Sequence, residues 1–286
     1  MGEIYLNGQF VPPEQAVVSV LDRGFLFGDG VYEVIPAYAG KPLRTPEHLQ
    51  RLENSLRAIG MQAPLSDVQW DEIFARLLSA SPEADQAIYL QVTRGVAPTR
   101  DHRFPKAPTP TVMAMAKPMK VRDPAIAREG VAAVVREDIR WLRCDIKSTA
   151  LLAAVMLRQE ADEAGAEEAI LIRDGLALEG STSNLFIVLD GVLVTPPKGQ
   201  LLLPGITRDL VLELAERAGL ASREADVPVA ALRNAEEVWI TSSTREVMPV
   251  TRLDGQLIGS GKPGAAWQRI DDQYQAFKRE ARRGSA

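Results

Sequence analysis

The stretch Arg140-Trp141-Leu142-Arg143-Cys144-Asp145-Ile146-Lys147-Ser148 decides how this chain is interpreted. It places Lys147 at the end of an extended segment, directly before a helix predicted from Ser148 to Ala164 and capped by Gly165. Burial lowers the pKa of a lysine, and the neutral amine is then a nucleophile that can carry a carbonyl cofactor covalently. Taken alone, a surface lysine before a helix is the simpler interpretation.

The composition is that of a globular protein with one large domain or two modest ones. The chain has 286 residues and a net charge of −5. It therefore lacks the basic face that nucleic acid or an anionic membrane requires. No apolar run is long enough to span a membrane, and no signal peptide is visible. Cys144 is the one cysteine, which excludes an internal disulfide, and with two histidines it argues against a metal site. We expect a soluble cytoplasmic protein.

Hydrophobic periodicity predicts an α+β first half, a linker and a second half in which strands and helices alternate. Asn7-Gly8 between Ile4-Tyr5-Leu6 and Gln9-Phe10-Val11 predicts a hairpin with a type I′ turn. The residues 118–124 are polar and contain two prolines, which is typical of a linker. The predicted division is a small N-terminal α+β domain over residues 1–117, the linker 118–124, and a larger C-terminal domain over residues 125–286.

Two polar stretches are candidate binding sites. Glu179-Gly180-Ser181-Thr182-Ser183-Asn184 places a carboxylate at a strand end, where it can hold a protonated ring nitrogen, and then a turn whose hydroxyl groups can contact a phosphate. Alone, a polar turn between strands is the favoured interpretation. Leu203-Pro204-Gly205-Ile206-Thr207-Arg208-Asp209 opens a helix, and outward-pointing N–H groups near Thr207 would suit a phosphate. Thr207 or Asp209 can also cap this helix, and the two interpretations are compatible.

A further candidate site is a glycine-rich stretch near the N-terminus. Its sequence is Asp22-Arg23-Gly24-Phe25-Leu26-Phe27-Gly28-Asp29-Gly30-Val31-Tyr32-Glu33. It is interpreted as too rich in glycine for a helix. It also lacks the spacing of a dinucleotide-binding loop and follows no clear βα unit, so that function is rejected.

These stretches together resemble the fold-type IV pyridoxal-phosphate enzymes, the group of D-amino acid aminotransferases, branched-chain aminotransferases and aminodeoxychorismate lyase. The resemblance extends from Tyr5 to about Gly259 and is closest to the D-amino acid (D-alanine) aminotransferases. The segments 27–34, 137–148 and 205–209 carry it. It implies a two-domain architecture of mixed α+β and α/β type, with the larger C-terminal domain binding pyridoxal 5′-phosphate.

The resemblance also implies roles for individual residues. Lys147 would bind the cofactor as a Schiff base and then move the proton between Cα and C4′. Glu179 would pair with the pyridine nitrogen and keep it protonated. Arg51 matches the family's phosphate-binding arginine, whose planar fork suits a phosphate. The remaining implied cofactor contacts come from hydroxyl groups, backbone donors and a leucine beside the ring: Ser181, Thr182, Leu203, Ile206, Thr207 and Ser243.

The substrate site implied by the resemblance is a trap for the α-carboxylate. Arg100 and His102 form an Arg-x-His pair that, with Tyr32, would grip the carboxylate and fix which face of Cα meets Lys147. In the family the pair comes from the partner subunit, which implies a homodimer. Asp101 could pair with Arg100 or Arg103 and loosen the trap, so activity on (R)-primary amines stays an alternative.

The reaction implied is a ping-pong transamination. D-Alanine and 2-oxoglutarate would give pyruvate and D-glutamate. The alternatives are an (R)-amine transaminase, a branched-chain L-amino acid aminotransferase or aminodeoxychorismate lyase on the same fold and, from a different class, a pyridoxal-phosphate-binding protein without turnover. The Arg100-x-His102 pair favours the D-amino acid reaction, and Lys147, Glu179 and Tyr32 argue against a protein without turnover.

Overall fold

The computed structural model describes residues 2–82 and 84–283, and these form two compact units. The first unit contains the described chain up to Lys120, the segment Ile146–Leu151 and the described residues from Glu280 on, whereas the second contains Val121–Asp145 and Leu152–Arg279.

The segment that carries Lys147 belongs to the first unit. The sequence-based division placed it in the C-terminal domain, 125–286, because it follows the linker. The structure groups Ile146–Leu151 with the first unit, since its backbone is hydrogen-bonded there to a strand. The predicted linker 118–124 does lie where the chain first changes unit, between Lys120 and Val121.

The first unit is built on a six-stranded sheet with neighbour order β2-β1-β6-β5-β3-β4, all pairs antiparallel. Two helices, α2 and α3, cover its apolar face with residues such as Leu56 and Phe74. The elements are β1 (Ile4–Leu6), β2 (Gln9–Val11), a 3₁₀ helix (Pro13–Gln15), α1 (Arg23–Phe27), β3 (Gly30–Tyr38), β4 (Lys41–Pro42), α2 (Thr45–Ala58), α3 (Asp67–Leu78), β5 (Gln86–Thr93) and β6 (Thr111–Pro118).

Local sequence explains most of these boundaries. Asn7 and Gly8 have φ of 49° and 91°, as the predicted hairpin turn requires. Ser66 caps α3 in a capping box with Gln69. The prediction that residues 22–33 contain no helix was wrong. Asp22 accepts a hydrogen bond from the N–H of Gly24 and starts α1, which ends at a left-handed Gly28.

The second unit is built on a ten-stranded sheet with neighbour order β12-β11-β10-β14-β15-β7-β8-β9-β13, and β16 pairs with β15. A further pairing of Asn184 with Glu179 joins β10 to β9 and closes six of these strands into a ring. The elements are α4 (Pro124–Glu129), β7 (Val131–Glu137), α5 (Leu152–Glu163), β8 (Glu168–Arg173), β9 (Leu176–Gly180), β10 (Asn184–Leu189), β11 (Val192–Thr195), α6 (Ile206–Arg217), β12 (Ser222–Glu224), β13 (Val227–Pro228), α7 (Val229–Arg233), β14 (Glu237–Ser242), β15 (Glu246–Leu253), β16 (Gln256–Leu257) and α8 (Ala265–Arg283).

The helix after the lysine begins later than predicted. The sequence places its start at Ser148, but α5 begins at Leu152. The backbone of residues 148–149 is instead paired with β3, through a Val31–Ser148 bridge and a hydrogen bond from Thr149 N to Gly30 O. Tertiary hydrogen bonding therefore overrides local helix propensity here. No helix among the described residues is long and apolar enough to cross a bilayer.

Gly95 provides a test of the loop that follows β5. Its φ is +84°, and a Cβ built on it would lie 1.8 Å from the backbone oxygen of Thr109. We expect Gly95→Ala to lower the free energy of unfolding by at least about 2 kcal/mol, because the backbone must leave the left-handed region or displace residue 109. The measurement is urea- or heat-induced unfolding followed by circular dichroism.

Gly191→Ala is the matched control for this prediction. Gly191 also has a positive φ, +72°, but no atom lies within 4 Å of a Cβ built there. Gly191→Ala should lower the free energy of unfolding by only about 1 kcal/mol, from backbone strain alone. Equal destabilisation by the two substitutions would contradict the close approach at Gly95.

Candidate active site

Lys147 is held by its backbone against β3. Its carbonyl oxygen accepts a hydrogen bond of 3.0 Å from Tyr32 N, and its own N–H donates to Ser55 Oγ at 3.2 Å. Gly28 permits the segment after Lys147 to lie close to it, because a Cβ on Gly28 would lie 3.2 Å from Ala150. The half-buried Lys147 side chain places Nζ 4.3 Å from the centre of the Tyr32 ring. Among the described residues, no carboxylate forms a salt bridge with this amine.

The orientation of Arg51 is fixed by the buried carboxylate of Glu33, which lies on β3. Its Nε and Nη2 donate to the two oxygens of Glu33 at 2.7 and 2.8 Å, and His48 Nδ1 lies 2.8 Å from Glu33. Burial favours the neutral form of Glu33, but Arg51 and His48 outweigh it and hold the pKa of Glu33 well below its usual range. The guanidinium therefore has a fixed orientation. That it binds a phosphate remains a prediction.

In the second unit, Glu179 is a buried carboxylate with three donors around it. Arg140 Nη1 donates to Oε1 at 2.6 Å, while Asn184 Nδ2 and the Leu203 N–H donate to Oε2 at 3.2 and 3.1 Å. Burial raises the pKa of Glu179 to about 7, even though Arg140 and the Leu203 N–H lower it. A carboxylate that titrates near neutrality can share a proton with a ring nitrogen, as the sequence predicted for this residue.

Arg140 is itself held by a second buried carboxylate. Asp138 accepts hydrogen bonds from Arg140 Nε at 2.8 Å and forms a salt bridge with Arg173 at 3.0 Å. Two guanidinium groups thus balance the carboxylates of Asp138 and Glu179. The sequence did not predict a role for Arg140. The pattern that could have indicated one is an arginine two residues after an aspartate at the end of a buried strand.

The hydroxyl groups of the 181–183 turn face a residue that sequence analysis missed. Ser181, Thr182 and Ser183 all donate to the carboxylate of Glu168, the latter two at 2.9 Å. Arg245 Nη2 neutralises this carboxylate at 2.6 Å. The turn is therefore anchored to β8, and these hydroxyl protons are directed to Glu168 and not outward. Cofactor binding by Ser181 and Thr182 stays a prediction. The sequence pattern that could have indicated Glu168 is an acidic residue at the start of an apolar strand.

The start of α6 has features that suit a phosphate. Gly205 caps the helix without a side-chain hydrogen bond, and the first N–H groups of a helix, here those of Ile206 and Thr207, have no partner within it. A Cβ on Gly205 would lie 1.8 Å from Asn184 Oδ1. Thr241 is paired with Asn184 across the sheet.

Thr241 adds an unpaired hydroxyl to this region. Its Oγ1 is buried and has no hydrogen-bond partner among the described residues. A buried hydroxyl without a partner costs free energy unless a ligand supplies one. The sequence favoured Ser243 in this stretch, and the structure places Ser243 half-buried in the turn after β14. Thr241 is therefore a second candidate.

Arg100 and His102, which are predicted to bind the substrate carboxylate, lie on an exposed loop of the first unit. The Phe27 ring is 4.9 Å from Arg100 Cζ and 5.2 Å from the His102 ring. Buried Arg23 ties the loop down by donating to the carbonyl oxygens of residues 101–103. Asp101 pairs with Arg103, at 2.9 Å from its Nε, and not with Arg100. The structure brings Arg100 and His102 together on one loop.

The described residues contain no cluster of ligands for a metal ion. The first unit contains an amine without a salt bridge and an oriented guanidinium, Lys147 and Arg51, which suit the aldehyde and the phosphate of a flat, acidic ring cofactor. Taken by itself, the second unit contains groups that suit the ring nitrogen and the phosphate of such a cofactor: the buried carboxylate of Glu179, the first turn of α6 and the unpaired hydroxyl of Thr241.

Comparison with known proteins identifies the family. Residues 30–253 match the profile of the class IV amino-transferases. The chain is 44% identical to a D-alanine aminotransferase of Bacillus licheniformis over 273 residues, 96% of each chain. It is 39% identical to a D-alanine aminotransferase of Staphylococcus epidermidis, covering 97% of this chain and 98% of the relative. The chain therefore belongs to the class IV aminotransferase family, as the sequence predicted.

A solved structure confirms the predicted two-domain fold-type IV architecture. A branched-chain amino acid aminotransferase from T.th., solved with pyridoxamine 5′-phosphate, has a TM-score of 0.90 and 29% identity, covering 100% of this chain and 95% of that chain. This chain is an aminotransferase, and the predicted enzyme class is confirmed.

The pairing of Arg140 with Glu179 leads to a prediction on pH dependence. Because the pKa of Glu179 is raised from 4.5 to about 7, its contribution to stability is fully present below about pH 4.5 and falls as the pH rises through 7. Arg140→Met removes the neighbouring cation and should move this loss to higher pH. It should also cost about 3–5 kcal/mol where Glu179 is ionised. The measurement is the unfolding midpoint of the cofactor-free protein from pH 6 to 9.

The double variant Arg140→Met with Glu179→Gln is the control for this effect. It has no carboxylate left to titrate at position 179, so its pH dependence should be flatter than that of Arg140→Met. Identical pH profiles for the single and double variants would show that Glu179 does not titrate in this range, and identical profiles for the wild type and Arg140→Met would show that Arg140 does not act on Glu179.

Proposed function

We propose that this chain is a pyridoxal-phosphate-dependent transaminase that transfers the amino group of D-alanine to 2-oxoglutarate, giving pyruvate and D-glutamate. The observation that carries the proposal is Lys147, whose amine lies 4.3 Å from the Tyr32 ring and whose backbone is fixed to β3. The similarity to D-alanine aminotransferases over 96% of the chain supports the choice of substrate.

Each unit, described by itself, contains candidate residues for holding pyridoxal phosphate. Arg51, fixed by Glu33, and the start of α6 at Ile206 and Thr207 would bind the phosphate, with hydroxyls from Thr241 or Ser243. Glu179 would accept the N–H of the ring, and Leu203 would pack beside it. When bound, the group supplies a carbonyl carbon for an amine and a ring that accepts electrons from the Cα–H bond.

Lys147 would hold and move the proton. Its amine forms no salt bridge with a carboxylate of the described residues, so it is available to accept the Cα proton. Its fixed backbone limits where Nζ can reach, so proton removal would take place on one face of the substrate. Glu179 would remain the partner of the ring nitrogen through both half-reactions, stabilised as a carboxylate by Arg140.

The α-carboxylate of the substrate would be bound by Tyr32, Arg100 and His102. Because Asp101 pairs with Arg103 and not with Arg100, the guanidinium of Arg100 is available to a substrate carboxylate, which favours an amino acid over a simple (R)-amine. We propose that the pair acts in the partner subunit of a homodimer. Exposed apolar side chains on the first unit support an interface, among them Val17, Val20, Phe25 and Phe104. A single cysteine fits a cytoplasmic location.

The discriminating experiment supplies D-alanine or L-alanine with 2-oxoglutarate and measures pyruvate. We expect pyruvate from D-alanine only. Pyruvate from L-alanine would assign the chain to L-amino acids, and none from either would remove the proposed reaction. Lys147→Ala is the control. It should lose turnover and should no longer retain the cofactor covalently after borohydride treatment, whereas the wild-type protein should.

Arg100→Ala should weaken capture of carboxylate substrates by about 2–5 kcal/mol, read as a fall in kcat/KM for D-alanine. Arg103→Ala is the matched control, because Arg103 is also exposed on the same loop but is paired with Asp101. It should change kcat/KM much less. Unchanged kinetics for Arg100→Ala would remove Arg100 from the carboxylate trap.

Mixed dimers test the contribution of the partner subunit. If Arg100 acts across the dimer, combining Lys147→Ala and Arg100→Ala subunits should place an intact Lys147 and an intact Arg100 in one of the two sites. Mixing should then recover a fraction of the wild-type rate. No recovery, with mixed dimers verified by mass, would place Arg100 and Lys147 of the same subunit in one site.

A further inference from the structure

The loop that joins β14 to β15 and the strand end before it carry two candidate phosphate contacts. Ser242 and Glu246 form the last pair of these strands, so residues 243–245 make the loop. Ser243 lies in the loop, and the buried hydroxyl of Thr241 lies just before it on β14. Glu246 has a φ of +60°, which a residue other than glycine seldom adopts. Local preference alone therefore does not set the course of the chain here, and contacts with other elements hold it.

Arg245, the last residue of the loop, ties it to the 181–183 turn. Its Nη2 donates to Glu168 Oε2 at 2.6 Å and to Thr182 Oγ1 at 2.5 Å. Its Nε donates to Ser242 Oγ at 3.4 Å, at the start of the loop. The Arg245 side chain is 22% exposed and that of Glu168 is fully buried, so water screens this pair only weakly.

The next residue is held by a helix. Glu246 accepts hydrogen bonds from Gln275 Nε2 at 2.7 Å and from Lys278 Nζ at 2.5 Å, and both donors lie on α8. The end of the loop is thus fixed on two sides. Arg245 connects it to β8 and the 181–183 turn, and Glu246 connects it to α8.

Arg245 also compensates the charge of Glu168. Burial raises the pKa of Glu168, but the charge of Arg245 and the hydroxyl donors of the 181–183 turn outweigh it, so the pKa lies below its ordinary value. Two more charged groups lie beside this pair: Glu167, 3.5 Å from Arg245 Nη1, and Arg158, 3.7 Å from Glu167. Loss of Arg245 would leave the Glu168 charge buried without this compensation, which is costly.

We propose that Arg245 is a positioning residue for cofactor binding: through Glu168, it holds the loop 243–245 and the 181–183 turn in the arrangement that receives pyridoxal phosphate. This inference rests on the proposed function, which assigns cofactor contacts to these segments. Arg245 acts indirectly, because its own hydrogen bonds are made to side chains of the protein.

The phosphate of the cofactor should depend most on this arrangement. Hydrogen bonds weaken steeply when donor and acceptor are displaced, so movement of the loop would weaken the contacts of Thr241 or Ser243 with a phosphate. The ring would be held by other residues, Glu179 and Leu203. Its binding should therefore depend less on Arg245.

The test compares the binding of pyridoxal phosphate with that of pyridoxal, which lacks the phosphate. The dissociation constant of each is measured by titrating the cofactor-free full chain and following the absorbance of the bound compound. Arg245→Met should weaken the binding of pyridoxal phosphate by about 10- to 100-fold, as when a residue that orients a metal ligand is removed. It should weaken pyridoxal much less. Arg245→Lys should lie between the wild type and Arg245→Met, because it keeps the charge but loses the planar fork.

A double variant tests whether Arg245 acts through Glu168. Glu168→Gln removes the charge but keeps an oxygen that accepts from the hydroxyl groups of the turn. Alone, it should also weaken pyridoxal phosphate, because Arg245 loses its charged partner. If the two residues act as a unit, Arg245→Met with Glu168→Gln should bind no more weakly than Arg245→Met. Losses that multiply would show independent action and would overturn the proposal.

Arg136→Met is the matched control. Arg136 is a partly exposed arginine of the same unit that pairs with Glu160 at 2.9 Å and joins β7 to α5. Breaking this pair should leave the affinity for pyridoxal phosphate unchanged. Circular dichroism confirms that each variant is folded. If Arg245→Met does not fold, Arg245→Lys and Glu168→Gln provide the comparison.

The outcomes distinguish this proposal from the proposed function. An unchanged affinity for pyridoxal phosphate in Arg245→Met would overturn the proposal. So would an equal loss for pyridoxal, or an equal loss in Arg136→Met, since either would show a general structural effect. A wild-type chain that does not bind pyridoxal phosphate would instead overturn the proposed function.

Discussion

The backbone pairing of residues 147–149 with β3 is the constraint on which the proposed chemistry depends. Tyr32 N donates to Lys147 O, and Thr149 N donates to Gly30 O, each at 3.0 Å. Because buried backbone donors need partners, a shift of register would break both bonds and move Nζ away from Tyr32. The same strand carries Glu33, so one strand positions the amine and, through Glu33, the guanidinium of Arg51, which is the proposed phosphate-binding group.

Buried carboxylates paired with guanidinium groups hold the remaining site residues. Each unit contains such a pair, Glu33 with Arg51 in the first and Glu179 with Arg140 in the second. Burying a charge is costly unless it is paired, and breaking a buried pair leaves the other charge unsatisfied. The geometry of these groups is therefore well determined before any ligand binds, which is the preorganisation that catalysis requires.

The sequence predicted the fold where local signals and tertiary structure agree. The Asn7-Gly8 hairpin and the helix opened by residues 203–209 are both present. It failed where tertiary contacts prevailed. Residues 148–149 lie in the predicted helix but pair with β3, and the short helix after Asp22 depends on one capping carboxylate and a left-handed glycine.

The sequence by itself determined the family and named Lys147, Glu179, Arg51 and Arg100, because these residues lie in contiguous motifs whose chemistry can be recognised. Only the tertiary structure decided what surrounds them. Separate strands or loops are joined by the pair of Arg140 with Glu179 and by the hydrogen bonds of the 181–183 turn to Glu168. Hydrogen-bond partners and burial set a group's charge and orientation, and both are properties of neighbours in space, which the order of residues along the chain does not specify.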